Sequence, residues 1–190
     1  MYEGIDTVIL FEELAYEDQL PLTWRTSNAP VGDVLKRSFA DRNVKLLQAC
    51  AAMEEHVQPE KSDERAPHYA DIVRLDMKIN LLLDMVGQLL AANRPRPDAM
   101  PVRFNALGAT WHHKGTPPAD GSYGVFEVHL RECVAEPLRL SGKIIGVNAD
   151  GRVKAKFDNP GEAVADLIEK LAFRRHRRQV AGARHTHRDN

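Results

Sequence analysis

The chain has 190 residues, 43% of them hydrophobic and 28% charged, a balance that fits one sizeable folded domain or a small domain with an added helical element. No apolar run reaches the roughly 18–20 residues a membrane span needs, and Cys50 and Cys133 stand too far apart, in segments of different character, for a disulfide framework or a zinc quartet. The net charge of −1 hides an asymmetry: residues 1–20 hold Glu3, Asp6, Glu12, Glu13, Glu17 and Asp18 with no Lys or Arg, while the end sets Arg174, Arg175, Arg177, Arg178, Arg184 and Arg188 against Asp189.

Residues 1–32 read as an acidic arm, extended or partly strand-like, with short apolar runs at Val8-Ile9-Leu10-Phe11 and Leu20-Pro21-Leu22 and an end at Ser27-Asn28-Ala29-Pro30. One strand of a barrel can come from it. The start lacks a basic region ahead of an apolar run, so no signal peptide is expected and the protein is expected in the cytoplasm. Residues 33–94 read as a helical oligomerisation element. Its first helix runs over 33–57, opened by Asp33 as a capping residue. Phe39, Leu46, Cys50 and Met53 follow a heptad stripe, with Asn43 at an equivalent position. There Asn43 either fixes register as a buried polar residue or faces water at the helix edge.

A polar connection with two prolines, Gln58 to Pro67, precedes the second helix, over 68–93. Ile72, Leu75, Ile79, Leu82, Val86 and Leu89 recur at alternating spacings of three and four, the seam of a helix that meets a partner helix. From Leu81 to Leu90 the helix is apolar on nearly every side, which calls for more than one neighbour. Self-association is therefore expected. Arg94-Pro95-Arg96-Pro97 then ends the helix, because proline cannot continue it.

Beyond Met100 the period changes to 2. Pro101–His113, Tyr123–Arg131, Leu138–Val147 and Gly151–Phe157 read as strands; in the last, Val153, Ala155 and Phe157 alternate with Arg152, Lys154 and Lys156. Asn148-Ala149-Asp150-Gly151 is a tight hairpin signal. Short, locally linked antiparallel strands favour a small barrel, closed by a helix over about 161–180 that turns Val164, Leu167, Ile168 and Leu171 inward. Residues 181–190 read as a flexible tail.

No catalytic or metal-ligating residue is expected. His112 and His113 are adjacent in a strand and point to opposite faces, and the chain has no P-loop, HExxH, GxSxG or CxxC. The run Arg174-Arg175-His176-Arg177-Arg178 suits phosphates or an acidic arm, or is a solvated helix end. Nucleic acid is not an expected partner, since no other basic face with interleaved aromatics is evident.

Val102-Arg103-Phe104-Asn105-Ala106-Leu107-Gly108-Ala109-Thr110-Trp111, the segment Gly151–Phe157 and the closing amphipathic helix together resemble a PilZ domain. The full layout resembles the atypical, tetramerising PilZ proteins, with further likeness at Leu20-Pro21-Leu22-Thr23-Trp24-Arg25, Lys78-Ile79-Asn80-Leu81-Leu82-Leu83-Asp84 and Phe173–Arg178. The resemblance implies an α+β fold: a small antiparallel six-stranded PilZ-like β-barrel over 95–180 with its closing C-terminal helix, plus two long heptad-repeat helices. It also implies a receptor for cyclic di-GMP, the one candidate ligand, with no cofactor.

The family's RxxxR loop and D/NxSxxG motif are altered. Upstream of Pro101 stand only Arg94 and Arg96, each followed by proline. Arg103 takes the Asp/Asn place and Asn105 the Ser place, while Gly108 remains. Losing two arginine forks removes several charge-assisted hydrogen bonds of about 1.5–3 kcal/mol each. Arg174 and Arg178 are in RxxxR spacing, so a neighbouring subunit's helix end is expected to offer cations to the face carrying Arg103, Asn105 and Gly108. The reading is a non-enzymatic, self-assembling regulator of cyclic di-GMP signalling, a tetramer that meets a protein partner of its pathway. The rival reading is a structural or protein-interaction scaffold that binds no nucleotide.

Overall fold

The computed structural model describes residues 14–54, 68–93 and 96–186; the readings for Val8–Phe11, Gln58–Pro67, Arg94 and residues 187–190 lie outside them. Strands β1 (Tyr16–Ser27), β2 (Ala99–Phe104), β3 (Gly108–His112), β4 (Tyr123–Val128), β5 (Leu138–Val147) and β6 (Arg152–Phe157) form a closed antiparallel barrel. Its order is β1-β2-β3-β6-β5-β4, returning to β1. Helices α1 (Asp33–Glu54), α2 (Tyr69–Asn93) and α3 (Glu162–Thr186) complete the described chain. Among the described residues no helix is long and apolar enough to cross a membrane.

The N-terminal arm supplies the closing strand. Residues 16–21 of β1 pair with β2, and residues 22–27 pair with β4. Pro21 sits at the changeover, where one ladder ends and a backbone N–H is least needed, and its carbonyl accepts from the His129 N–H at 3.0 Å. Tyr16, Leu20, Leu22 and Trp24 point inward and meet a stack of rings: Trp24 on Trp111 with centroids 5.9 Å apart, Trp111 against Phe126 at 5.8 Å, and Phe126 against Phe157 at 5.2 Å.

The segment expected as one strand over 101–113 is a hairpin. The Asn105 side-chain oxygen accepts from the Leu107 N–H at 2.9 Å and the Gly108 N–H at 3.1 Å, an Asx turn that reverses the chain between β2 and β3. At the other predicted hairpin, Gly151 has φ 79°, and its N–H reaches the Asn148 carbonyl at 3.0 Å.

The α1 helix serves the barrel. Leu46, Leu47 and Cys50 are buried in the same core as the ring stack, together with Val164, Ile168, Leu171 and Ala172 of α3. Leu46 and Cys50 are therefore taken up within one chain and not open to another copy, contrary to the expected heptad seam. The lining arc passes through Ala40, Val44 and Leu47, one step round the helix from that stripe. Phe39 and Met53 are half-buried, with the Met53 sulfur 3.6 Å from Cys133 Sγ. Nor does Asn43 face water: it is 2% exposed. Its Nδ2 donates to the Arg139 carbonyl at 2.7 Å and its Oδ1 accepts from the Arg139 N–H at 3.1 Å, so one amide satisfies both backbone groups of a β5 residue.

The α2 helix behaves oppositely. Ile72, Leu75, Ile79, Leu82, Val86 and Leu89 are 44–63% exposed, and Met77, Leu81 and Met85 are exposed beside them. Among its described residues Gly87 is the buried one: a Cβ there would lie 3.4 Å from the Cys133 backbone, so the helix approaches the β4–β5 connection closely at a residue without a side chain. Just beyond α2, Arg96 donates to the Glu132 carbonyl at 2.6 Å and the Val134 carbonyl at 3.0 Å of the same connection.

Replacing Asn43 with Leu keeps the branched outline of the side chain but strands the Arg139 N–H and C=O. The expected loss is about 2–4 kcal/mol of unfolding free energy, measured as a fall in the urea midpoint.

Candidate ligand-binding face

The strand register builds this face from β1, β2, β3 and β6. Glu17 is paired with Arg103, Arg103 with Thr110, and Thr110 with Lys154. Arg103 Nε is 3.1 Å from Glu17 Oε1. The closing helix brings Arg175 to the same place, its Nη2 2.9 Å from Asp18 Oδ1. Asp18 is further fixed by the Gln19 N–H at 2.9 Å and the Tyr16 hydroxyl at 3.3 Å. Between them lies a hollow of about 490 Å³ whose lining includes Glu17, Asp18, Arg103, Thr110, Arg152 and Arg175.

Of the residues expected here, only Arg103 faces the hollow. Asn105 is buried and spends its oxygen on the Asx turn, and Gly108 is buried in the same turn. Arg174 turns towards α1, where its Nη1 donates to the Ala51 carbonyl at 3.3 Å, and Arg178 is exposed further along α3. Among the described residues of α3, Arg175 lines this hollow. The Asp18–Arg175 pair joins the acidic start to the arginine run, whereas Arg152 reads from the sequence only as part of the wet face of its strand. The missing information was the helix phase: a step of one residue turns a side chain by about 100° round the axis.

The strand order also moves the family comparison. The first barrel strand is β1, not the strand after Arg94 and Arg96. The stretch ahead of it, residues 1–15, has no Arg or Lys, and Arg96 is engaged with the Glu132 and Val134 carbonyls. At this face Glu17 and Asp18 stand against Arg103 and Arg175.

A second polar cluster lies across the barrel, around a hollow of about 210 Å³. Glu127 accepts from Arg25 Nε at 2.6 Å and Arg139 Nε at 2.9 Å, and Arg139 Nη1 also donates to Glu136 at 2.7 Å. Half-buried His129 lines the same hollow. Burial, then the positive charges of Arg96 and Arg139, hold its pKa below the ordinary 6.5 against the pull of Glu127 and Glu136. Among the described residues no group of His, Cys, Asp and Glu is placed to hold a metal ion.

A closed six-stranded barrel capped by a C-terminal helix, with long helices between its first and second strands, defines the class of protein. The family model described as "Atypical PilZ domain, cyclic di-GMP receptor" matches residues 47–185, and the chain belongs to that family. Among solved structures it is similar to a pathogenic protein from Xanthomonas campestris, described as a tetrameric PilZ domain self-assembled via an unusual helical bundle. That likeness has a TM-score of 0.70 at 23% identity and covers 94% of this chain and 97% of the other. No curated protein matches the chain.

His129 gives a pH test. With the folded-state pKa below 6.5, the unfolded chain takes up the proton first as pH falls, so stability is full above 6.5 and declines below it. The expected result is that the urea midpoint falls less between pH 7.5 and 5.5 in His129→Gln than in the unsubstituted protein.

Proposed function

We propose that the protein is a non-enzymatic, cytoplasmic regulator of cyclic di-GMP signalling that assembles as a tetramer through α2 and presents its barrels to a protein partner, with nucleotide binding lost at the usual face. One observation carries the assembly: six side chains in seam spacing, Ile72 to Leu89, stand 44–63% exposed on a helix that touches its own barrel at Gly87. An exposed apolar stripe of that length marks an interaction surface. Covering the exposed half of each such side chain contributes about 0.7–1.5 kcal/mol. The added apolar positions Met77, Leu81 and Met85 call for a second neighbouring helix, and the helical-bundle assembly of the Xanthomonas protein supports a similar use of α2.

Ile79→Glu with Leu82→Glu puts two charges into that seam. The expected outcome is a monomer in sedimentation velocity with the barrel's near-ultraviolet signal retained; an unchanged oligomer mass would refute the seam.

The adaptor reading is favoured over a nucleotide-dependent one by Glu17 and Asp18, which already neutralise Arg103 and Arg175, and by Asn105, whose oxygen is committed to its turn. Calorimetric titration with cyclic di-GMP is expected to give no saturable heat at tens of micromolar ligand. A saturable isotherm there would overturn the loss of binding and leave the assembly result standing.

A further inference from the structure

The hollow at Arg103 holds more than the two ion pairs need. Three guanidiniums, from β2 (Arg103), β6 (Arg152) and α3 (Arg175), share one space of about 490 Å³, within the range of small-ligand sites, roughly 300–1,000 Å³. Planar guanidinium forks match phosphate oxygens and bind them in pairs, and the Thr110 hydroxyl lines the same space. Like charges repel unless counter-ions stand among them. Here β1 provides those counter-ions: Glu17 on Arg103 at 3.1 Å and Asp18 on Arg175 at 2.9 Å. Arg152 has Asp150 only at 3.9 Å, with 45% of its side chain exposed.

We propose that this hollow is a site for polyphosphate-type anions that the chain keeps filled with its own carboxylates, and that a ligand bearing two or more linked phosphate groups enters by displacing Glu17 and Asp18. This rests on the reading above that Glu17 and Asp18 neutralise Arg103 and Arg175 and that nucleotide binding is lost at this face. The masking is local and reversible. Glu17 is 55% exposed at its side chain and leaves its partner with little rearrangement. Asp18 holds Arg175 and so ties the arginine-rich half of α3 to the start of β1; an anion that takes Arg175 releases that tie.

The test uses the full chain and inorganic tripolyphosphate, titrated calorimetrically at low salt into the unsubstituted protein and into Glu17→Gln with Asp18→Asn. Asn at position 18 keeps an oxygen for the Gln19 N–H. The double variant is expected to bind at least tenfold more tightly, and adding Arg103→Gln and Arg175→Gln is expected to abolish the gain. Equal affinities, or a gain that survives loss of the two arginines, would overturn the proposal. Glu17→Gln alone, at the exposed carboxylate, is expected to gain about threefold; no gain in a variant with native unfolding temperature would also overturn it. Cyclic di-GMP in a parallel titration separates the two readings, since its saturable binding to the unsubstituted protein refutes only the lost nucleotide site, whereas the tripolyphosphate comparison decides the masking.

Discussion

The divided pairing of β1 is the constraint on which the rest of the molecule depends. A single twelve-residue strand runs along β2 for its first half and along β4 for its second, and that change of partner turns an open sheet into a barrel without edges. The register is fixed by what lies inside, since Leu20, Leu22 and Trp24 are buried and Pro21 stands at the corner. A slip of one residue would turn that whole set to solvent. It would also part Glu17 from Arg103 and Asp18 from Arg175. The core therefore sets the electrostatics of the face, and the acids of the arm are held there by hydrophobic burial more than by their own ion pairs.

The two long helices carry similar apolar spacing and are used in opposite ways. On α1, Leu47 and Cys50 lie on the barrel side, and Asn43 satisfies a backbone N–H and C=O of β5. A buried Asn in such a place specifies position, because any other docking of α1 would leave its amide or the strand unpaired. Among the described hydrogen bonds, α2 has none of that kind to a barrel group. Its contact is the close approach at Gly87, strengthened by Arg96 on the two carbonyls of the following connection. These contacts fix where the helix leaves the barrel and leave the stripe from Ile72 to Leu89 open.

Much of this was legible from residue periodicity. The switch to period 2 beyond Met100, the turn at Asn148–Gly151 and the proline stop after α2 are local signals, and the elements stand where they point. The break between β2 and β3 was not legible as alternation, because it depends on one side-chain oxygen of Asn105 folding back on two backbone N–H groups. The use of α1 was hidden for a different reason: heptad spacing does not say whether the covering surface belongs to the same chain. The face was legible only in part. Arg103 stood out through its motif position, whereas Glu17, Asp18, Arg152 and Arg175 come together through pairings between strands and a helix distant in sequence.

At this face the barrel supplies its own counter-ions to Arg103 and Arg175. Here the anions are carboxylates of β1, attached to the barrel, so their effective concentration beside Arg103 and Arg175 is set by strand register and not by ligand supply. Partly exposed ion pairs of this kind are worth only about 0–1 kcal/mol each. They neither close the barrel nor hold α3, whose Val164 and Ile168 are fully buried. The contact is thus fixed in position and modest in energy, and the closure of the barrel and the seating of α3 rest on the buried core.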